Sequence, residues 1–296
     1  MKRVMILLMM LLAAAALRAE LSVVTTYPWI ADIAVRVGQG VVKVHSLAPG
    51  SWDPHLVVPK PSMIGRVRTA DLVIMNGAEL EIGWLPPLLR ESANRRVQPG
   101  APGLLDLSLS VKLIEVPVSV LRAGGDVHPS GNPHFHLDPH NVPLVAGAIC
   151  SKFCELDPKG EGTYRKNLAV FTGFWSTKVT EWDKVMAVKK GTSVTEYHRL
   201  FRYFMKRYGI RSAAEIEPLP GIPPTSQHLK KVIDLMKGGG IKTIISDVYH
   251  PKSPAEFVAG KTGAKLVVLH HDVDAHSEAR DIVALFDTMV RRLGND

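Results

Sequence analysis

Twelve histidines and only two cysteines stand in this 296-residue chain, so a metal held here would be taken by imidazole and carboxylate rather than by thiolates. Four residues qualify by position. His55 follows an apolar, β-branched run through Ala48-Pro49-Gly50-Ser51-Trp52-Asp53-Pro54, and His134 lies in the Gly/Pro-rich stretch Gly131-Asn132-Pro133-His134-Phe135-His136-Leu137-Asp138-Pro139. His198 comes directly after Val194-Thr195-Glu196-Tyr197, and Asp272 after Val267-Val268-Leu269-His270-His271. In open parallel sheets, ligands bind beyond the carboxyl ends of the strands. A lone histidine there is more often a hydrogen-bonded loop residue. Two candidates from each half, at the same kind of strand end, point instead to a metal. Three neutral imidazoles and one carboxylate form a four-coordinate set that Zn²⁺ accepts at about 2.0–2.2 Å per bond.

The elements that must place these residues follow from the hydrophobic pattern. Short β-branched runs at 21–25, 41–47 and 71–76 alternate with amphipathic segments near 30–37 and 61–69, the order of βαβ units on a parallel sheet. Weaker strands are expected at 104–107 and 112–116, then a loop over 123–139. Between 157 and 190, Tyr164, Leu168, Phe171, Trp175, Val179, Trp182 and Met186 recur at helical spacing as one stripe, starting at Asp157-Pro158 and ending at Gly191. The alternation then resumes with strands at 192–197, 241–246 and 265–270, and helices near 199–208, 226–237, 254–262 and 278–293. The expected fold is α/β: an N-terminal lobe (20–156) and a C-terminal lobe (191–296), each a parallel sheet flanked by helices, joined by one long helix (157–190).

The first residues read as an export signal. Met1-Lys2-Arg3 precedes an apolar run from Val4 to Leu17, with a cleavage point expected after Ala19. That run is shorter than the roughly 20 residues a membrane-spanning helix needs. No Cys follows it, so the sequence reading is of a protein exported to the periplasm without a lipid anchor. Removing Lys2, Arg3 and Arg18 leaves 33 Lys plus Arg against 28 Asp plus Glu, so the formal +8 falls to +5. The remaining basic residues come as isolated pairs such as Arg95-Arg96 and Lys230-Lys231, which argues against a nucleic-acid partner. Cys150 and Cys154 lie four apart in an expected helix, where a disulfide would be strained; they read as small hydrophobes.

The same segments resemble the metal-specific periplasmic binding proteins of ABC importers, the ZnuA-like zinc and manganese family (cluster A-I). Ser51-Trp52-Asp53-Pro54-His55-Leu56-Val57-Val58-Pro59-Lys60-Pro61-Ser62, with Ala70-Asp71-Leu72-Val73-Ile74-Met75-Asn76-Gly77 and Glu79-Leu80-Glu81, is similar to the family's first signature. Asn132-Pro133-His134-Phe135-His136-Leu137-Asp138-Pro139 resembles the second, and Tyr197-His198-Arg199-Leu200-Phe201-Arg202-Tyr203-Phe204 the third. The resemblance implies His55, His134, His198 and Asp272 as ligands, the set already selected by strand ends. It implies zinc over manganese, because manganese-preferring members tend to carry Glu where His198 stands. Two departures stand out: the long His-rich loop common in zinc members is reduced to Ala123-Gly124-Gly125-Asp126-Val127-His128-Pro129-Ser130, and the usual aromatic of the second signature is His136.

Around that core set, His128, His136 and His140 form either a weak acquisition site or ordinary loop positions. Asp247, closing the strand at 241–246, competes for the fourth ligand position; His271 is a candidate support behind Asp272. His270 reads as structural, and His45, His228, His250 and His276 as surface residues. The resulting expectation is an extracytoplasmic, monomeric solute-binding protein that captures zinc between two lobes and delivers it to a membrane ABC permease, with a periplasmic zinc chaperone as an open addition to its partners. Alternatives are a manganese or iron carrier of the same class, or a zinc hydrolase with a three-histidine site. Against the hydrolase, the chain has no His-Glu-x-x-His motif. The long helix implies release through small lobe and loop motions rather than a wide swing.

Overall fold

The computed structural model describes residues 20–117, 128–219 and 221–294. The expected leader with its cleavage point at Ala19, and residues 123–127 of the shortened loop, lie outside the described residues. Two four-stranded parallel sheets are built from successive stretches of chain. The first contains β1 (Leu21–Thr25), β2 (Val42–Ser46), β3 (Leu72–Met75) and β4 (Leu104–Asp106) in the order β2-β1-β3-β4. The second contains β5 (Ser193–Glu196), β6 (Arg211–Glu215), β7 (Thr243–Ser246) and β8 (Lys265–Val268) in the order β6-β5-β7-β8. The two sheets therefore share one topology. In each, the chain steps to one side of its first strand and then to the other, which opens a crevice beyond the carboxyl ends of that strand and the third. Both crevices face the same place.

The helices that cover the sheets are α1 (Pro28–Gly38), α2 (Pro61–Arg68), α3 (Leu85–Ser92) and α4 (Val142–Leu156) in the first half. α5 (Glu161–Met186) is the joining helix, flanked by 3₁₀ turns at Pro158–Gly160 and Ala187–Lys189. In the second half come α6 (Arg202–Arg207), α7 (Ser226–Gly238), α8 (Lys252–Thr262) and α9 (Ile282–Gly294). The first three helices start with Pro in the opening turn, where its missing N–H removes no intrahelical bond. At 26 residues, α5 runs about 39 Å. Its stripe is buried at Tyr164, Phe171, Trp175, Trp182 and Met186, with Leu168 and Val179 packed half-buried beside them.

That stripe binds both lobes. Trp175 donates through Nε1 to Pro139 O in the first lobe (2.7 Å). Trp182 donates to Asp287 of α9 (2.8 Å), and its ring stacks on Phe286 at 5.2 Å while Trp175 meets the same ring edge-on at 5.4 Å. Three large aromatics with almost no exposed surface thus fix α9 to α5. One continuous apolar cluster includes residues of both halves. Among the described residues no helix is long and apolar enough to cross a membrane.

Three elements differ from the sequence reading. Residues 112–116 make no strand, because Ile114 spends its backbone elsewhere: its N–H donates to Tyr203 Oη (3.0 Å) and its carbonyl accepts from Asn132 N (2.8 Å). The expected helix at 199–208 shortens to α6, since Leu200 N turns back onto His198 O (2.7 Å). β6 was not anticipated. Its sequence Arg-Ser-Ala-Ala-Glu lacks alternating large apolar residues, and as an edge strand it leaves every residue at least partly accessible.

Candidate metal centre

Where the two crevices meet, His55, His134 and His198 bring ring nitrogens within 4.8 Å of one another. The three rings are spaced evenly: centroids lie 5.3 Å apart for His55 and His134, 5.8 Å for His55 and His198, and 5.9 Å for His134 and His198, all close to edge-on. Each comes from a different element. His55 leaves the loop after β2, where Asp53 Oδ1 accepts both the backbone N–H of His55 (2.9 Å) and its ring Nδ1–H (3.0 Å). A carboxylate only accepts, so Nδ1 of the neutral ring carries the proton and Nε2 keeps its lone pair. His198 follows β5, and its Nδ1 donates to Glu217 Oε2 at 2.5 Å, again freeing Nε2. His134 enters from the turn before a short 3₁₀ segment, Phe135–Leu137, with its backbone N–H held by Asn132 Oδ1 (3.0 Å).

His134 is the most telling of the three. It is 1% exposed, and neither ring nitrogen has a hydrogen-bond partner among the described residues. Leaving a buried polar atom unsatisfied costs about 1–3 kcal/mol. Burial, reinforced by the neighbouring His55 and His198, pushes its pKa well below the ordinary imidazole range, so the ring is neutral and a competent metal donor. Three imidazoles, two oriented by carboxylates and the third unsatisfied, fit a divalent cation of borderline softness.

Asp272 is not brought into this group. Its Oδ1 accepts from Trp29 N at the start of α1 (2.8 Å) and from Val273 N (2.6 Å), and the three-histidine group does not contain it. Complete burial raises its pKa well above the usual carboxylate value. Asp247 also turns elsewhere, accepting from Tyr249 N (3.0 Å), His250 N (2.9 Å) and His250 Nδ1 (2.7 Å). Of the loop histidines, His136 stacks on Trp29 at 4.8 Å and donates through Nε2 to His271 O (2.8 Å), while His140 is exposed, 3.9 Å from Asp183. His271 donates to Trp52 O (3.2 Å). His128 differs: its Nε2 lies 3.2 Å from Nε2 of His55. Burial and the two nearby imidazoles lower its pKa to about 3.

Two residues were missed by sequence reasoning. Glu217 lies two residues beyond the unanticipated β6, so the carboxylate that orients His198 was invisible along with its strand. His250, expected at the surface, is instead largely enclosed, its ring stacked 4.5 Å from Tyr197 and bonded to Asp247. Asp247 beside it raises its pKa against the opposing effect of burial. A polar residue just after a strand was the available signal: His198 after β5, Glu217 after β6 and Asp247 after β7 all obey it.

Polar contacts beside the site tie one lobe to the other. Arg207 makes a two-pronged ion pair with Asp138 (2.9 and 2.8 Å), Tyr203 Oη donates to Asn132 O (2.8 Å), and Asn132 Nδ2 donates to Arg199 O (2.8 Å). On the other side a Cβ at Gly50 would overlap Val273 O, so glycine is required where the first lobe touches the second.

Two similar parallel-sheet lobes, a rigid helix between them and a cluster of imidazoles at their junction define a metal-binding protein of the two-lobe solute-receptor class. The chain belongs to the family of the zinc-uptake complex component A, periplasmic, whose model matches residues 23–295. It is 27% identical to the manganese ABC transporter substrate-binding lipoprotein PsaA of Streptococcus pneumoniae, over 81% of this chain and 76% of that protein. It is 25% identical to the iron ABC transporter substrate-binding lipoprotein MtsA of Streptococcus pyogenes serotype M1, over 82% of this chain and 77% of that one. Among solved structures, ZnuA superposes with a TM-score of 0.79 at 23% identity, covering 93% of this chain and 98% of that chain. A Cd-bound periplasmic metal-binding protein from Candidatus Liberibacter asiaticus gives 0.77 at 18%, covering 92% and 98%.

The protein is thus a substrate-binding component of an ABC metal importer, which works with a membrane permease and binds a divalent metal; the family is one of solute-binding proteins and not of enzymes. The hydrolase alternative falls with it. The expectation that the protein is free of a lipid anchor is also overturned, because these relatives are named lipoproteins. That expectation rested on a missing Cys within one short stretch, and an absence there cannot decide how an extracytoplasmic receptor is retained.

Proposed function

We propose that this protein captures Zn²⁺ through His55, His134 and His198 and carries it, outside the cytoplasm, to its permease. The observation that carries the reading is the buried, unsatisfied ring of His134 between two imidazoles whose Nδ1 atoms are held by carboxylates. An all-nitrogen set of this kind suits zinc, whereas manganese prefers more oxygen donors. Residues 1–19 serve as the export signal, and the lobes divide at the ends of α5. The length of α5 and the contacts across the cleft favour loading and release by small movements of the loops around His55 and His134 rather than by wide opening. The protein acts as a monomer.

The relatives named for manganese and for iron supply the competing reading. Metal competition on chelator-stripped protein separates the two. Zinc binding one-to-one, with much weaker Mn²⁺ and Fe²⁺ binding and a tetrahedral ligand-field spectrum for the Co²⁺ form, is the expected result; tighter Mn²⁺ or Fe²⁺ binding refutes the zinc assignment.

A further inference from the structure

Asn76 follows β3 at the carboxyl edge of the first sheet and is 0% exposed. Its side-chain amide donates through Nδ2 to two carbonyls, Gly77 O and Pro133 O, both at 3.0 Å. Turning the amide over would set its oxygen against both carbonyl oxygens, so the placement of its nitrogen and oxygen is forced. Oδ1 is then left buried, with no partner among the described residues. A polar atom buried in that state opposes folding. Packing alone would favour an apolar side chain here, so the use of the amide lies in the bonds it donates.

One of those bonds reaches the metal site, because Pro133 directly precedes His134. The other hydrogen bonds that the described residues make to residues 133–135 are local. Asn132 Oδ1 accepts from His134 N (3.0 Å), Leu137 N donates to His134 O (3.2 Å), and Phe135 O accepts from Asp138 N (3.2 Å) and Asn141 Nδ2 (2.9 Å). They shape the turn without fixing it to a sheet. Asn76 supplies that link from 57 positions earlier in the chain. Its own backbone is held on both sides: the buried Glu81 carboxylate accepts from Asn76 N (2.7 Å) and Gly77 N (3.1 Å), and Asn76 O accepts from Ser108 N (2.9 Å). Gly77 has a φ of 84° and stands where a Cβ would overlap the Asp106 carboxylate, so the turn after β3 admits no other residue there.

We propose that Asn76 is a positioning residue for the metal: by holding Pro133 O it sets the main chain of His134 in register with β3 and so places that imidazole for the ion. His55 and His198 are oriented through their rings, by Asp53 and Glu217. His134 is oriented through its backbone instead, because nothing among the described residues holds either of its ring nitrogens. Groups behind a metal ligand tune affinity by fixing where the ligand points, and here the group held is the peptide carbonyl before the ligand. The inference rests on the reading of the three histidines as the metal site.

The test compares Asn76→Ala with Asn94→Ala in the mature full-length protein. Asn94 is a matched control: its Nδ2 also donates to two first-lobe carbonyls, Val67 O (2.9 Å) and Ala70 O (2.8 Å), but these precede the amino end of the same strand. Zinc affinity is measured against a chromophoric chelator, site geometry from the Co²⁺ spectrum at saturation, and metal-free stability by urea unfolding. Asn76→Ala should weaken zinc binding by about 10–100-fold and shift the Co²⁺ bands. Asn94→Ala should change neither, even where it lowers stability as much. Asn76→Ser, whose hydroxyl can serve Gly77 O but is too short to reach Pro133 O, should behave like Asn76→Ala and keeps the comparison open if the alanine variant does not fold. Unchanged affinity and bands in the Asn76 variants, an equal loss of affinity in Asn94→Ala, or a fold lost in both Asn76 variants overturns the proposal, the last by making the residue structural. Failure of the wild type to bind one ion, or undiminished binding by His198→Ala, would instead overturn the three-histidine site itself.

Discussion

Replacing His134 with Leu should make the metal-free protein more stable while abolishing its response to zinc. The ring is 1% exposed and both its nitrogens lack partners among the described residues. Its desolvation therefore weighs against folding by about 1–3 kcal/mol. Leu removes that penalty, while the change of shape returns up to about 1.5 kcal/mol. A net gain of about 1 kcal/mol raises Tm by roughly 2–4 °C in a chain of this size. The wild type, by contrast, gains about 2.7 kcal/mol when free zinc is a hundred times Kd. Thermal unfolding in chelator and in buffered zinc should therefore show the order reversed: variant above wild type without metal, wild type above variant with it. A His134→Leu protein that melts below the wild type in chelator, yet still shifts upward with zinc, would refute the assignment of this ring as an unsatisfied ligand.

Three further outcomes follow from other parts of the structure. Glu217→Gln keeps the shape beside His198 but removes the charge that orients its Nδ1–H, so zinc affinity measured by chelator competition should fall about 10–100-fold; an unchanged Kd would show that the 2.5 Å contact does not tune the ligand. Complete burial raises the Glu81 pKa to about 7 despite bonds from the Asn76 and Gly77 amides, so the folded state holds its proton where the unfolded chain, near 4.5, has released it. This contribution is present in full below pH 4.5 and lost as pH rises through about 7, a change of about 3 kcal/mol at most. Urea unfolding of Glu81→Gln should show a flatter pH profile across that window, and an unaltered profile counts against the raised value. Phe286→Ala, emptying the space between Trp175 and Trp182, should cost about 3–5 kcal/mol by urea unfolding; a loss under about 1 kcal/mol would mean that α9 is not anchored there.

The sequence made some of this architecture legible and hid the rest for identifiable reasons. The stripe from Tyr164 to Met186 announces α5 because a long run of apolar residues at helical spacing has no competing reading. β1 and β3 are legible because buried parallel strands are nearly continuous β-branched or apolar runs. β6 is not, since an edge strand need not bury a face, and with it went Glu217. The strand-like run at 112–116 misled because apolar content says nothing about where Ile114 finds its hydrogen bonds.

The site divides in the same way. Residue type and position relative to strand ends predicted that His55 and His198 would meet at the junction of two lobes, because a parallel strand places whatever follows its carboxyl end at the crevice, whereas His134 follows no strand. Only the tertiary structure decided which nitrogens carry lone pairs, since Asp53 and Glu217 set that through contacts at 3.0 and 2.5 Å. Only it decided the fate of Asp272, whose partner Trp29 lies 243 residues away. The packing of one lobe against the other determines whether that carboxylate meets an imidazole-bound ion or a helix-terminal amide, and no local pattern encodes the relative placement of two separately formed sheets.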